Sequence, residues 1–341
     1  MSKGKRFDMD EVYAFEAAVP GPKETMIIAY HSEEEEDAGH DCRIAAVNRT
    51  GGIVWLQDGI EFDEYKGVEL GVSPNGSYLV IRAALTTDES ISEFIRVIDT
   101  SCGEPIATLE GPSSYSDYGV HKALADSDGT VLCVYQPLNT HHRVVARYSL
   151  KDEPLPLWGS KQESGSGKAE ALSLPDDAYV ALGGDGVFYI LDNNGCTLVG
   201  YARTGELVIS RELEPLPIDQ LEDFTVDEGG VLHILFQHRK PIGKNRYTHL
   251  ARVTPDGQPE IWLGPNVQPG SGPNLNANSS VFALPGGSLF LAGELPGIRV
   301  LDPNGGTLWL GPGTAEKDDE YLEKLEDDRK YSKKHTPDRR G

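Results

Sequence analysis

Five residues of this 341-residue chain stand at one place relative to a recurring turn: Glu69, Lys122, Glu170, Asp223 and Ser280. Each lies five positions before Pro74, Ser127, Pro175, Glu228 or Pro285, residues of the turns that precede the most apolar runs. Brought to a common level, Glu69, Glu170 and Asp223 make an acidic group with Lys122 among them. Carboxylates that face one another raise each other's pKa or share a cation. The same column reads as a solvated row in which Lys122 neutralises its neighbours, and the sequence leaves both readings open.

A second acidic group, Glu33-Glu34-Glu35-Glu36-Asp37, is flanked by His31 and by His40-Asp41. It reads either as a loop that docks a basic partner or weakly binds a divalent cation, or as a solvated loop without the preorganisation that ligation needs. His141-His142 occupies the corresponding connection further along and reads as exposed polar sequence. His233 and His238 are separated by an odd number of residues, which sends them to opposite faces of a strand and rules out a joint metal site. Gly165-Ser166-Gly167-Lys168-Ala169 lacks the earlier glycine and the hydroxyl residue after lysine of a phosphate loop, and reads as a linker. There is no G-x-S-x-G elbow and no cysteine beside a plausible histidine, so nucleophilic catalysis has no sequence support. The sequons at Asn48, Asn75 and Asn278 matter only in a secreted chain.

The elements that must position these residues are short β-rich runs between Gly/Pro/Asn/Asp clusters, the pattern of antiparallel strands with tight connections. Ser73-Pro74-Asn75-Gly76 precedes Tyr78-Leu79-Val80-Ile81, and Asp126-Ser127-Asp128-Gly129 precedes Val131-Leu132-Cys133-Val134. Pro175-Asp176-Asp177, Asp227-Glu228-Gly229-Gly230 and Pro285-Gly286-Gly287 precede similar runs, and Pro22-Lys23-Glu24 is a first copy. The copies recur roughly every 50 residues, the spacing of a four-stranded propeller blade. Trp55, Trp158, Trp262 and Trp309 all fall in the last strand of a unit.

We therefore expect an all-β chain: one β-propeller over 11–312, with blades at about 11–58, 68–111, 119–159, 169–212, 221–264 and 278–311. The fourth unit holds an extra apolar run, Val187-Phe188-Tyr189-Ile190-Leu191, which is either a lengthened hairpin or a seventh blade. A lone blade is apolar on both faces, and radial stacking buries them, with the tryptophans as wedges between neighbours. Residues 1–10 read as a tail and 313–341 as a charged C-terminal helix and tail. Tyr321, Leu322 and Leu325 are the anchors that dock this helix or engage a partner.

The Ser-Pro-Asn-Gly-strand unit resembles the repeat of WD40-like and TolB-type propellers. The Leu301-Asp302-Pro303-Asn304-Gly305-Gly306 unit is similar to turns in NHL and lactonase-type six-bladed propellers. Likeness to the lactonase type implies a metal site made by Glu69, Glu170 and Asp223 at the mouth of a central tunnel. The asparagines of that pattern are missing from the column, as are a Gly-His…Trp-Asp pair and an Asp-box.

Bulk composition narrows the function. The formal net charge is −23, a surface that repels nucleic-acid phosphates and anionic lipid, so neither nucleic acid nor membrane is expected as a partner. The four cysteines are far apart, with no C-x-x-C pair, which argues against disulfides and zinc. No secretory signal or membrane span is read, and a cytoplasmic protein is expected. The leading functional expectation is a non-catalytic, acidic protein-interaction platform without a cofactor, engaging another protein through a basic surface of that partner. The top face, with residues 33–41 and 86–92, is where contact is expected. The alternative is a metal-dependent lactonase or esterase in which calcium polarises the substrate carbonyl. A glycan-binding propeller is a third reading, disfavoured because the tryptophans read as packed between blades.

Overall fold

The structure is a computed structural model that describes residues 6–8, 12–32, 41–61, 68–86, 91–109, 115–137, 143–151, 154–155, 172–175, 177–265, 275, 279–293, 297–311 and 314–335. It divides into two compact units, 1–192 with 198–210, and 193–197 with 211–341. Every sheet is antiparallel and drawn from one stretch of chain, and all but the third are simple four-stranded meanders.

The first unit begins with β1 (Val12–Pro20), β2 (Thr25–Ser32), β3 (Asp41–Asn48) and β4 (Ile53–Glu61). The second sheet follows as β5 (Val68–Val72), β6 (Tyr78–Thr86), β7 (Ile91–Asp99) and β8 (Pro105–Leu109). The third comprises β9 (Tyr115–Ala125), β10 (Val131–Pro137), β11 (Val144–Tyr148) and β12 (Pro154–Leu155), with β13 (Leu172–Ser173) also on β11. The fourth is β14 (Tyr179–Leu182), β15 (Phe188–Leu191), β16 (Thr197–Tyr201) and β17 (Leu207–Glu212). The second unit holds β18 (Ile218–Val226), β19 (Leu232–His238), β20 (Thr248–Val253) and β21 (Pro259–Leu263). Its other sheet is β22 (Ser280–Ala283), β23 (Leu289–Ala292), β24 (Arg299–Leu301) and β25 (Thr307–Leu310), and the helix α1 (Thr314–His335) follows. These six sheets are the blades of a six-bladed β-propeller.

The fourth blade departs from the sequence reading. The Pro175-Asp176-Asp177 turn precedes the first strand, β14, and Leu172–Ser173 belongs to the third sheet. The hairpin joining first and second strands is instead Gly183–Gly186, closed by Gly183 N–H to the Val187 carbonyl and Gly186 N–H to the Gly183 carbonyl. The supposed extra run is therefore β15, the ordinary second strand, and no seventh blade is needed. Two tight turns four residues of strand apart look alike in sequence, and counting from the first of them places the column one strand too early.

The core lies between blades. Val80, Ile95, Val97 and Leu109 of the second pack against Ala123, Val131, Cys133 and Tyr148 of the third. Leu132, Val134 and Val145 on the third blade's other face meet Val180, Phe188 and Ile190 of the fourth. In the second unit Leu235, Leu250 and Leu263 meet Val281, Leu289, Leu291 and Leu301. Because both faces are covered, the second strands lose alternation: β15 and β23 are buried at every residue.

Trp55 and Trp262 pack as wedges. Trp55 donates Nε1–H to the Thr100 carbonyl at 2.8 Å and lies flat against Gly103, in the hairpin between third and fourth strands of the next blade. Trp262 repeats this on Gly305 of the next blade, with Arg252 stacked on its ring at 4.2 Å. Trp158 lies outside the described residues. In α1 the carboxylates crowd the first half and the lysines the second, which suits the helix dipole. The helix docks through Tyr321 and Leu325 on Tyr247, beside Ile242 and Leu322. Asp328 accepts from Asn245 Nδ2 at 2.7 Å and from the Tyr247 hydroxyl at 2.6 Å.

Candidate functional site

First strands of the blades carry the polar residues, and irregularities in those strands aim them. In β1 the pairing with β2 skips Glu16, in β9 the pairing with β10 skips His121, and in β18 the pairing with β19 skips Glu222. Each bulged residue stands four positions before the last residue of its strand (20 − 16, 125 − 121 and 226 − 222). A bulge turns one side chain out of the regular alternation, and bulges cluster where a fold re-aims functional groups. The repeat thus places a titratable side chain at one height in three blades.

In the first unit, Glu16 Oε1 lies 3.3 Å from His31 Nε2. Cys42 stands on β3 beside this pair. Burial, and secondarily the charge of Glu16, push its thiol far above the ordinary range against a backbone hydrogen bond at Tyr30. It stays protonated and is no nucleophile. In the next blade Glu69 is gripped by Arg82 through two parallel contacts, Nε–Oε2 at 3.1 Å and Nη2–Oε1 at 3.1 Å, a fork that fixes both partners. In the third, burial first and then the charges of Arg143 and Arg82 lower the pKa of His121. Lys122, the next residue, donates to the Val180 carbonyl at 3.2 Å.

In the second unit Glu222 accepts from Gln237 Nε2 at 2.8 Å. Burial raises its pKa, opposed by that hydrogen bond and reinforced by Asp223. Asp223 is buried and its Oδ2 accepts the Val281 N–H at 3.0 Å, tying first strands of adjacent blades. His249 is also buried. Its Nδ1 lies 2.8 Å from the Tyr247 carbonyl, and its ring centroid is 4.8 Å from that of His238, the two rings tilted by 46°. Burial is the chief cause that lowers the pKa of His249 to about 4, with the Tyr247 carbonyl opposing and His238 adding to the fall. His233 faces away to Asp227, Nε2 to Oδ2 at 3.1 Å, so the two histidines of β19 do go separate ways.

Of the residues expected at a metal site, Glu69 has both oxygens on Arg82 and Asp223 has one on a main-chain N–H, while Glu170 lies outside the described residues. With the turn corrected, the fourth-blade counterpart of Glu69 is Tyr179. Among the described residues, no three His, Cys, Asp or Glu side chains are grouped to hold a metal ion. Glu33, Glu34, Glu35, Glu36, Asp37, His141 and His142 lie outside the described residues. Tyr321 and Leu325 are buried under α1 and Leu322 is half-buried, so these anchors face the protein's own fifth blade. Sequence reasoning missed Glu16, His121 and Glu222 because counting from the turn lands on Ala17, Lys122 and Asp223, one residue past each bulge.

No protein-family model matches the sequence, and no curated protein matches it. Solved structures do. A protein of unknown function from Bacteroides thetaiotaomicron aligns at 13% identity and TM-score 0.50, over 88% of this chain and 71% of its own. Virginiamycin B lyase from Staphylococcus aureus aligns at 14% identity and TM-score 0.49, over 89% and 85%. The β-propeller domain of the Trilobed protease from Pyrococcus furiosus aligns at 10% identity and TM-score 0.48, over 88% and 96%. At such identities the likeness concerns fold alone. Among the described residues no helix is long and apolar enough to cross a membrane.

Proposed function

We propose that the protein is a binding platform whose acidic surface engages a partner protein through a basic face of that partner. The observation that supports this reading most directly is the division of labour on α1. Tyr321 and Leu325 are used up against the blade, which leaves Asp319, Glu320, Glu323, Glu326 and Asp327 exposed. Residues spaced three and four apart on a helix share a face, so these form an acidic stripe, partly neutralised at its far end where Lys330 pairs with Glu326 and Asp327, on a chain of net charge −23. In the same unit Leu308, on the outer strand of the sixth blade, is also about half exposed. Steering by such a surface falls off within a Debye length and weakens with salt.

The test is cross-linking and co-purification from the native cell with the wild type and with Glu323→Lys/Glu326→Lys. The wild type is expected to retain a defined partner at low salt and release it as salt rises. The charge-reversed helix is expected to lose that partner while its melting temperature stays within a few degrees. Equal recovery by both proteins, or recovery of free monomer alone, would refute the proposal.

A further inference from the structure

We infer that the fifth blade carries a proton-operated latch: His238 and His249 close the neck of the loop 239–247 only while both imidazoles are neutral, and their protonation releases α1 from its seat on that loop. β19 ends at His238, β20 begins at Thr248, and His249 follows. At the neck between them the Tyr247 carbonyl accepts the His238 main-chain N–H at 3.1 Å and faces His249 Nδ1 at 2.8 Å. A carbonyl can only accept, so Nδ1 of His249 carries the proton and Nε2 holds a lone pair. His238 is the opposite tautomer. Its Nδ1 lies 2.9 Å from the main-chain N–H of Lys240, which can only donate, so Nδ1 holds the lone pair and Nε2 the proton. The two ring centroids are 4.8 Å apart, and Phe236 lies 6.3 Å from one and 5.9 Å from the other.

Neither arrangement survives protonation, because an imidazolium donates from both nitrogens. On His238 the added proton points at the Lys240 N–H, donor against donor, and the turn into the loop is lost. On His249 it goes to Nε2, which is buried without a hydrogen-bond partner, and a buried charge without a partner is costly. That ring has no room to turn away, since a Cβ on Gly264 would already lie 2.3 Å from its Cδ2. Two imidazolium rings at this separation also repel each other.

The same neck seats the helix. Tyr247 meets Tyr321 edge-on with ring centroids 5.8 Å apart and donates its hydroxyl to Asp328. The loop backbone touches α1 at Gly243, where a Cβ would lie 2.9 Å from the Asp328 Cα, and Ile242 and Asn245 add their contacts. The charged groups around the pair are Lys240, Arg239 (donating to the Ile218 carbonyl), Arg246 (paired with Asp219 of β18), and Asp328 and Arg329 of α1. Among the described residues neither ring has a carboxylate partner that would favour its charged form. Burial is the chief cause that lowers both pKa values, that of His249 to about 4. The closed neck thus takes up a proton less readily than the open one, so closure is full above pH 6.5 and is lost as pH falls below it. Asp328, held below the ordinary carboxylate range, stays ionised through this window.

The experiment is hydrogen exchange on the full chain between pH 7 and pH 5, with each rate divided by that of an unstructured chain at the same pH so that only opening is read. Protection across 314–335 is expected to fall by about tenfold or more between pH 6.5 and pH 5, the linkage being up to tenfold per pH unit for each ring. Protection across 232–236 in β19 should hold. His238→Asn keeps an acceptor for the Lys240 N–H and has no site for the proton, while His249→Asn can still donate to the Tyr247 carbonyl. Each should reduce the fall, and the double variant should abolish it. NMR titration of the two rings in the wild type gives a reading that needs no variant: loss of protection should set in over the pH range in which the rings titrate. Protection of α1 that stays level from pH 7 to pH 5, a fall of wild-type size in the double variant, or a fall displaced from the ring titrations overturns the inference.

Discussion

Two glycines offer a matched test of the wedge packing between blades. Gly51 and Gly103 close equivalent hairpins in adjacent blades at φ +79° and +80°. Alanine at either pays the left-handed backbone cost of about 1–2 kcal/mol. At Gly51 nothing lies within 4 Å of the new Cβ, so that cost is the whole effect. At Gly103 the Cβ would come within 2.6 Å of Trp55 Cδ2 and Cε3. The indole cannot swing aside, because it is 8% exposed and its N–H is tied to the Thr100 carbonyl at 2.8 Å. Overpacking a fixed ring adds about 1–3 kcal/mol. Gly51→Ala should therefore cost about 1–2 kcal/mol and Gly103→Ala about 2–5 kcal/mol. Urea unfolding followed by tryptophan fluorescence, with parallel calorimetry, reads both; a melting temperature moves about 2–4 °C per kcal/mol at this size. The two glycines share their φ and their place between third and fourth strands, while the Gly103 turn is one residue longer, so the difference reads chiefly the contact. Equal destabilisation by the two alanines would refute the wedge.

Three further outcomes follow from contacts described above. Asp126→Ala removes a fully buried carboxylate that Arg203 grips through Nε at 2.9 Å; because the guanidinium left behind is partly exposed, it should lower stability by about 1–3 kcal/mol, seen as a lower urea midpoint. Asp328→Ala should loosen α1 without disturbing the sheets, raising hydrogen exchange across 314–335 while leaving β19 protected. In the wild type, hydrogen bonds from Asn245 and Tyr247 outweigh burial and lower the Asp328 pKa, so its share of docking holds above the ordinary carboxylate range and weakens as pH falls through the lowered value. His249 has its pKa lowered from 6.5 to about 4: the unfolded chain takes up the proton first, so stability is full above pH 6.5 and falls toward pH 4, by about 3 kcal/mol. His249→Gln should flatten that slope in denaturation midpoints between pH 7.5 and pH 4.5, and a slope identical to wild type would exclude His249 as its source.

The blade repeat was legible because each unit must solve the same problem. A sheet apolar on both faces needs short strands, tight turns and a bulky side chain to fill the taper, and Trp55 and Trp262 fill it in the manner their spacing implies. The helix was legible too, since Tyr321 and Leu325, two of the anchors read for it, are buried. What went astray was register. Pro175-Asp176-Asp177 imitates a hairpin turn but leads into a first strand, because nothing in a four-residue strand such as Tyr179–Leu182 marks it as first or second when it is apolar throughout.

The candidate site was missed for a related and more general reason. Counting back from a turn assumes that alternation is unbroken, and a bulge breaks it by one residue without any required change in composition. Lys122 and Asp223 were therefore selected where His121 and Glu222 are the residues turned out of register. One signal was available: in Phe15-Glu16-Ala17, Val120-His121-Lys122 and Leu221-Glu222-Asp223, a titratable residue follows an apolar one at the same distance from the turn. At Val68-Glu69-Leu70 the same apolar-to-titratable step falls one position nearer the turn, and there the pairing with the second strand is regular and Glu69 sits directly opposite Arg82. The bulge is thus not a fixed feature of every first strand: β5 pairs regularly with β6 along its whole length.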